Sequence, residues 1–326
     1  MQILSALASV AGGLAVSFLV YLSLNFIVGK TNTKWNRRLL PYVFIGPVLL
    51  LLLGFLVYPT VRTIVLSVVD STTNSFNGVG NYVSLFKSGD FLSTLLNNLL
   101  WILVVPAFTV AIGLGVAVLA DRLGPKREKT FKSIIFFPMA ISFVAAATMW
   151  RFIYTYDAPG QPQTGLLNAI WTGITHADPI AWITIDAGRL NSFLLMVIVI
   201  WLNAGYAMVL LSAAIKGVPE ETLEAARIDG ATDRQIFFRV VAPQIQTTIV
   251  AVFVTVLIGV MKIFDIVFAM TGGTYNTNVL GVEFINQFFN FGNPGKASAV
   301  VVILMLAVIP VIIYQVRSYR GQEALR

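Results

Sequence analysis

The side chains able to do chemistry in this chain are concentrated in one segment, residues 216–246. The segment reads KGVPEETLEAARIDGATDRQIFFRVVAPQIQ and holds five carboxylates and four basic side chains, in a sequence that is only 11% charged. The 326 residues include one histidine, His176, and no cysteine, which excludes disulfides and thiol nucleophiles and argues against a histidine metal site or a Ser–His relay. We therefore expect no catalytic residue and no metal site, and we expect a protein that is not an enzyme.

Local signals in this segment predict two short helices. Pro219 suits the first turn of a helix, where its missing N–H costs nothing, and Gly230 is a typical stop signal. Thr232 and Gln235 form the capping-box pattern that starts a second helix, and Pro243 is expected to end it. Taken alone, such a pair is as consistent with an anchor on a membrane surface as with a docking site. The carboxylates placed near the positive end of the first helix dipole are Glu220, Glu221 and Glu224.

A second group of polar side chains lies inside long apolar runs. Polar groups are costly in a membrane, so they usually face a cavity or a neighbouring helix. Hydrogen bonding between helices and contact with a substrate are both common uses, and the sequence leaves the two equally open for each position. The residues are Asn97, Asn98, Arg151, Asn203, Tyr206, Lys262 and Asp265.

The amino-acid composition indicates what kind of structural elements hold these polar and charged side chains in position. Hydrophobic residues make up 57% of the chain, its mean hydropathy is +0.82, and its formal net charge is +7. A soluble domain is nearer one-quarter charged because its surface must meet water. An ordinary soluble enzyme, a disordered chain and a nucleic-acid binder are therefore excluded as first interpretations, and we expect an all-α integral membrane protein with no nucleic-acid partner.

Seven apolar runs reach the length of about 20 residues that a membrane-spanning helix needs. The first has an alternative reading as a cleaved signal peptide. Its leader MQILS carries no positive charge and the apolar run is too long for a signal, so we expect a retained helix. The runs are Ile3–Val28, Tyr42–Tyr58 with an extension through Val69, Leu92–Ala120, Ser133–Tyr154, Leu190–Ala214, Thr247–Met270 and Ala297–Val316.

The basic residues predict the orientation of a seven-span chain. With seven spans, 16 of the 22 Lys and Arg residues fall on the same side of the membrane. The segments on that side carry a net charge of +8, against −1 for the rest of the chain. Cytoplasmic loops are enriched in Lys and Arg. We therefore expect a multi-pass protein whose N-terminus is outside and whose C-terminus is cytoplasmic. The cytoplasmic segments are 29–41, 121–132, 215–246 and the tail from residue 317.

The charged segment resembles the EAA loop of binding-protein-dependent ABC importer permeases. The stretches GNYVSLF, FFPMAISFVAAATMW and FDIVFAMTGG are similar to the carbohydrate-uptake subclass, and within it to the larger maltose-type subunit and the α-glucoside permeases. Two features depart from the family pattern: the first span is not universal, and TGGTYNTN lacks the proline often found after the glycine pair. The residues that carry the loop resemblance are Glu224-Ala225-Ala226, Asp229-Gly230-Ala231, Phe238 and Pro243.

The resemblance implies a type I ABC importer permease core plus one extra N-terminal helix, in a bacterial or archaeal cytoplasmic membrane. It divides the chain into a helix and linker (1–38), a permease domain (39–316) and a tail (317–326). The implied partners are a second related permease, two cytosolic ATPase subunits, an extracytoplasmic sugar-binding protein and membrane lipid. ATP and magnesium are expected on the ATPase, because this chain has no GxxxxGK[ST] loop. The implied ATPase-coupling residues are Glu224, Ala225, Ala226, Asp229 and Gly230.

The resemblance also implies a mid-membrane sugar site in an importer for an oligosaccharide or α-glucoside. Tyr206 and Asn203 are three residues apart and share a helix face, and both are able to bond sugar hydroxyls. The two sixth-span positions are apolar, which implies a site less polar than that for maltose. The implied substrate residues are Leu202, Asn203, Tyr206, Met139, Phe143, Val256 and Val260.

The alternative function is an ion-coupled secondary transporter or an intramembrane enzyme that acts alone. Lys262 and Asp265 are charged residues deep in the sixth span. No span carries a pair of carboxylates, and the matched helix breaks of ion-coupled carriers are not visible in the sequence. The permease interpretation requires an ATPase partner, whereas the alternative predicts uptake by the lone chain.

Overall fold

The computed structural model describes residues 12, 18–23, 25, 26, 28, 30 and 33–323, and for 33–39 and 318–323 it describes the backbone. The predicted first span, Ile3–Val28, lies largely outside these residues. The chain forms two compact units, Met1–Leu66 and Ser67–Arg326. The domain boundaries at 38 and 316 stay predictions.

The described residues of the first unit include a long apolar helix, which ends at the first residue of the second unit. It consists of α1 (Thr33–Leu52), a π-helical turn (Leu53–Val57) and α2 (Tyr58–Ser67), which follow one another without a gap. The stretch Leu40–Ser67 is long and apolar enough to cross a membrane. It corresponds to the predicted second span and its extension.

The second unit is a helical assembly around one buried helix. That helix, α8, packs against five others, α4, α5, α6, α12 and α13. Of its best membrane-spanning window 61% is buried, against 33% for α4 and 22% for α15, so α8 is the centre of the unit. The helices are α3 (Gly80–Phe86), α4 (Gly89–Asp121), α5 (Pro125–Phe136), α6 (Phe143–Ile153), α7 (Leu166–Thr175), α8 (Leu190–Lys216), α9 (Glu220–Ile228), α10 (Asp233–Ile236), α11 (Ala242–Gln244), α12 (Gln246–Met261), α13 (Asp265–Thr271), α14 (Leu280–Ile285) and α15 (Pro294–Glu323).

Small residues let α4 and α8 approach closely. A Cβ atom at Gly113 of α4 would lie 2.5 Å from the Cβ of Ala207 and 2.9 Å from the backbone nitrogen of Met208. Close backbone approach through glycine and alanine is a common basis of helix packing in membranes. This contact fixes α4 against the middle of α8.

The prediction of one continuous helix over Ser133–Tyr154 is wrong. Helix α5 continues into a 3₁₀ turn (Phe137–Ala140), and α6 then starts in a direction 103° away. Pro138 lies in the turn, and Ser142 caps α6 by accepting a hydrogen bond from the Ala145 N–H at 3.3 Å. A proline followed by an N-cap serine ends one helix and starts another, and the apolar composition of the run concealed this break.

The prediction of one helix over Thr247–Met270 is also wrong. Helix α12 ends at Met261, residues 262–264 are not helical, and the short helix α13 follows. Phe264, with φ −144° and ψ −57°, precedes α13. The sequence at the break, MKIFDI, contains no glycine or proline, so local helix-breaking signals were absent.

Membrane-spanning candidates in the described residues number four single helices, or six if each bent pair is one span. The all-α membrane architecture is confirmed, whereas the count of seven spans stays a prediction. The single helices are Leu40–Ser67, Gly89–Asp121, Ala187–Lys216 and Pro294–Arg317, and the bent pairs are Pro125–Ala140 with Phe143–Ile153 and Asp233–Gln244 with Gln246–Met261.

Candidate functional site

The two broken helices and α8 enclose a cavity of about 300 Å³. Six of the seven predicted substrate residues line it. The structure therefore brings together positions that are more than 100 residues apart in the sequence. The lining residues are Met139, Phe143, Val199, Asn203, Tyr206, Thr255, Val256, Gly259, Val260, Lys262, Ile263 and Asp265.

Helix α8 contributes the hydrogen-bonding wall. The side-chain amide of Asn203 donates to the carbonyl of Val199 at 2.8 Å. Within the described chain, the Asn203 Oδ1 and the Tyr206 hydroxyl have no hydrogen-bond partner, so both remain free for a ligand. Leu202 does not line the cavity: it is 5% exposed and packs in the main hydrophobic core. One residue along a helix is a rotation of about 100°, which turns Leu202 away from the cavity.

The break between α5 and α6 contributes the second wall. Met139 lies in the 3₁₀ turn and Phe143 is the first residue of α6, and both side chains are exposed. A Cβ atom at Gly205 of α8 would lie 2.4 Å from the Ile135 carbonyl oxygen and 2.7 Å from the Phe136 Cα. Gly205 therefore lets α5 reach α8 beside Tyr206, a role that the sequence analysis missed.

The break between α12 and α13 contributes the third wall. Val256 and Val260 are almost fully buried, as apolar packing residues are. Lys262 and Asp265 lie at the break, line the cavity and are exposed. Neither makes an ion pair with another described residue. The break thus adds a cation and a carboxylate to a wall that the sequence predicted to be apolar.

The other polar residues of the apolar runs hold backbone together. Asn97 donates to the carbonyls of Asn276 and Asn278, each at 2.8 Å. Asn98 accepts from the Leu280 N–H at 2.7 Å, and Arg151 donates to the Ala269 carbonyl. Of the seven polar positions that the sequence left open, three therefore anchor loops or helix ends, and four line the cavity: Asn203, Tyr206, Lys262 and Asp265.

The segment 216–246 forms the two predicted short helices with the predicted turn. Helix α9 ends in a Schellman motif: the Gly230 N–H donates to the Arg227 carbonyl, the Ala231 N–H donates to the Ala226 carbonyl, and Gly230 has φ +79°. The capping box of Thr232 and Gln235 is present.

Two prolines in this segment take positions that differ slightly from the prediction. Pro219 is the residue that caps α9 rather than part of its first turn. The second helix runs through α10, a π-helical turn (Phe237–Val241) and α11, and it ends one residue after Pro243. It then meets α12 at an angle of 68°.

Helix α9 has an inner face and an outer face. Leu223 and Ala226 pack inward against a small core of Val218, Ile236, Val241 and Ile245. Glu224 and Ala225 are exposed, and Ile228 is 85% exposed. Among the described residues, Ile228 is the most exposed large apolar side chain. The sequence analysis missed Ile228, whose apolar side chain at the end of a charged helix was the available signal.

A cluster of ion pairs stands where this segment begins. Glu128 of α5 accepts from Lys132 and from Lys216, whose Nζ lies 2.6 Å from Oε1 and 2.9 Å from Oε2. The same lysine is 3.7 Å from a carboxylate oxygen of Asp121 at the end of α4. Lys132 also donates to the Ser212 hydroxyl of α8. The cluster ties the ends of α4, α5 and α8 together.

Comparison with known proteins identifies the class. Residues 77–321 match the family described as binding-protein-dependent transport system inner membrane component. The match covers more than half of the chain, so this protein belongs to that family of ABC transporter permeases. It is a multi-pass inner membrane protein that acts as a transport component, and it is not an enzyme.

Curated relatives include two permeases of high similarity. The osmoprotective compounds uptake permease protein GgtC of Synechocystis sp. is 45% identical over 87% of this chain and 100% of its own length. The alpha-glucoside transport system permease protein AglF of Rhizobium meliloti is 41% identical over 97% of each chain.

A solved structure shares the fold. A chain of a bacterial ABC transporter involved in the import of the acidic polysaccharide alginate has a TM-score of 0.74, with 88% of this chain and 97% of that chain covered. Its sequence identity of 23% means that the likeness shows the fold alone.

Proposed function

We propose that this chain forms half of the translocation path of an ATP-driven importer for an oligosaccharide or α-glucoside. The observation that carries the proposal is that one helix, α8, lines the cavity and also leads directly into the segment 216–246. Asn203 and Tyr206 lie in the cavity, and Lys216 at its end opens the segment 216–246. The AglF permease, named for α-glucoside transport, is similar over almost the whole chain.

The cavity residues fit a sugar. Asn203 and Tyr206 supply free hydrogen-bonding groups, and the Tyr206 ring offers a flat apolar surface. Lys262 and Asp265 supply a donor and an acceptor at the α12–α13 break, and Met139 and Phe143 add apolar contacts. A few polar groups in a largely apolar cavity fix the orientation of a small ligand. The second permease subunit supplies the facing half.

The outer face of α9 fits the ATPase. Glu224, Ala225 and Ile228 form an exposed patch, and the Schellman turn at Gly230 with the Asp229 C-cap fixes its end. We assign coupling to Glu224, Ala225, Asp229, Gly230 and Ile228, while Ala226 holds the helix from inside. ATP and magnesium bind to the ATPase subunits, and an extracytoplasmic binding protein delivers the sugar.

The ion-pair cluster provides a second route between the two sites. A shift of the segment 216–246 displaces Lys216, and Glu128 passes the displacement to α5. Helix α5 continues without a gap into the turn that carries Met139. The segment is therefore linked to two walls of the cavity, through α8 and through α5, as alternating access requires.

The charge pattern sets the orientation. The cluster and the segment 216–246 belong to the side with the excess of Lys and Arg. The C-terminus and the ATPase-binding patch are then cytoplasmic and the N-terminus is outside. One observation favours the alternative of a transporter acting alone: the charged pair Lys262 and Asp265 at a helix break.

Reconstitution tests the proposal. Vesicles with this chain, its related permease, the ATPase and the binding protein are expected to take up α-glucosides with ATP, and vesicles with this chain alone are expected to take up nothing. Glu224→Lys with Gly230→Pro is expected to abolish uptake, whereas Asp178→Lys, a charge change in another loop, leaves it unchanged. Uptake by the lone chain, or intact uptake by the double variant, would contradict the assignment.

A further inference from the structure

Helix α5 has two functional sides: one carries the ion-pair cluster, and the other carries a groove that the proposed coupling does not involve. One side of the helix faces α8, where Lys132 is neutralised by Glu128. On another side a groove of about 450 Å³ follows the helix. Two cations, Lys126 and Arg127, form part of its lining, and both are exposed. The complete lining is Leu123, Lys126, Arg127, Thr130, Phe131 and Ile134.

The cations of the groove have no partner within the part of the chain that the structure describes. The single carboxylate of α5, Glu128, is occupied by Lys132 and Lys216. No described Asp or Glu oxygen lies within ion-pair distance of Lys126 or Arg127. Positive charge in the groove is therefore uncompensated within the described chain, whereas Lys132 on the side that faces α8 is paired.

The rest of the groove is apolar. Leu123 and Phe131 are half-buried, and Ile134 is 65% exposed. The Thr130 hydroxyl donates to the Lys126 carbonyl at 3.2 Å, so this side chain adds no free donor to the groove. A cationic rim above an apolar floor matches an amphiphile that has an anionic head and a hydrocarbon tail. An acidic peptide would pair with the cations, but it would not account for the apolar side chains Leu123, Phe131 and Ile134.

We propose that this groove binds an anionic phospholipid of the cytoplasmic leaflet. Lys126 and Arg127 pair with the phosphate, and an acyl chain lies along Leu123, Phe131 and Ile134. The assignment of the leaflet rests on the proposed orientation, and the binding itself does not. Since the opposite side of α5 holds Lys216, the lipid anchors the helix that links the segment 216–246 to Met139.

Native mass spectrometry of the purified full chain tests the site. The probes are phosphatidylglycerol, phosphatidylcholine of the same acyl length, and soluble glycerol phosphate. The unmodified chain is expected to retain phosphatidylglycerol and neither of the others. A basic residue near an anionic membrane surface contributes about fivefold in affinity, so Lys126→Gln with Arg127→Gln is expected to weaken phosphatidylglycerol binding about thirtyfold.

The matched control is Lys129→Gln with Lys87→Gln. It removes the same charge from exposed positions, one of them on α5, that do not line the groove. Its phosphatidylglycerol binding is expected to stay within about twofold of the unmodified chain. Elution volume and thermal stability report folding of both double variants, and Ile134→Ser, which keeps both cations, is expected to weaken binding of long acyl chains more than short ones.

Three results would overturn the proposal. Equal losses in the groove variant and the control would mean that only overall charge matters. Unchanged phosphatidylglycerol binding, combined with lost ATPase co-purification in the groove variant, would identify the groove as a protein contact. Retention of glycerol phosphate equal to that of the lipid would identify a phosphate site without an acyl chain. Because the lipid measurement needs no transport, it stands or fails separately from the proposed importer function.

Discussion

The segment 216–246 and the cavity are built in opposite ways. The segment folds on neighbouring residues: the Schellman turn at Gly230 and the capping box at Thr232 connect groups at most five positions apart. The cavity joins three stretches of chain, from Met139 to Asp265, and depends on two helix breaks. Changes in the segment should therefore act locally and on partner binding, whereas changes near the cavity should reach the assembly of the whole unit.

The largest effect is expected from Gly205→Ala. The added Cβ would meet backbone atoms of Ile135 and Phe136, which side-chain movement does not relieve. Overpacking of this kind costs about 1–3 kcal/mol, and here it separates two walls of the cavity. We expect a lower melting temperature and loss of uptake. Gly115→Ala in α4, where nothing lies within 4 Å, is the control, and equal behaviour of the two variants would contradict the close approach.

The next effect is expected from Ile228→Asp. The residue is exposed in the isolated chain and makes few internal contacts, so the fold should be unchanged. A central apolar contact of an interface contributes about 2 kcal/mol or more, which corresponds to a roughly thirtyfold weaker ATPase affinity. Co-purification and ATPase titration measure it. Ile174→Asp, at an isoleucine of 76% exposure in α7, should leave ATPase affinity unchanged.

Glu128→Gln tests the route that joins the two regions. The substitution keeps the shape but removes the charge that holds Lys132 and Lys216. Glu128 is the acceptor that both lysines share, so its neutralisation loosens the contact between α5 and the end of α8. We expect ATP hydrolysis to continue while uptake per ATP falls several-fold. A parallel fall of both activities would mean that Glu128 serves stability alone.

Asn203→Ala and Tyr206→Phe should act on the solute only. Each removes one free hydrogen-bonding group from the cavity, worth about 0.5–1.5 kcal/mol. We expect uptake and sugar-stimulated ATP hydrolysis to fall about threefold to tenfold for each, at unchanged melting temperature. Val209→Ala, on the same helix but outside the cavity, serves as the control. Unchanged transport by both cavity variants would remove these residues from the solute site.

The smallest effect on the cavity is expected from Gly230→Ala and Thr232→Ala. A left-handed residue other than glycine costs about 1–2 kcal/mol, and loss of an N-cap side chain costs about 1 kcal/mol. Because both act inside the segment, hydrogen exchange should rise in α9 and α10 and stay unchanged around the cavity. Faster exchange at Asn203 as well would show that the two regions are less independent than their construction indicates.

The contrast explains what the sequence predicts and what it misses. Gly230, Thr232 and Gln235 carry signals that act over a few residues, so the two short helices were predictable. The break at residues 262–264 contains no glycine or proline and is set by packing, so Thr247–Met270 was wrongly predicted as one helix. Leu202 shows the limit of matching by position, since one step along α8 turns a side chain from the cavity into the core.

The continuity of α8 has a mechanical consequence. From Lys216 to Asn203 the helix is unbroken, a distance of about 20 Å at 1.5 Å per residue. A hydrogen-bonded helix resists compression along its axis, so we expect an axial displacement at Lys216 to reach Asn203 and the cavity. Changes in helix orientation are then expected at the 103° and 68° bends between helices and at the non-helical residues 262–264, while α8 stays straight.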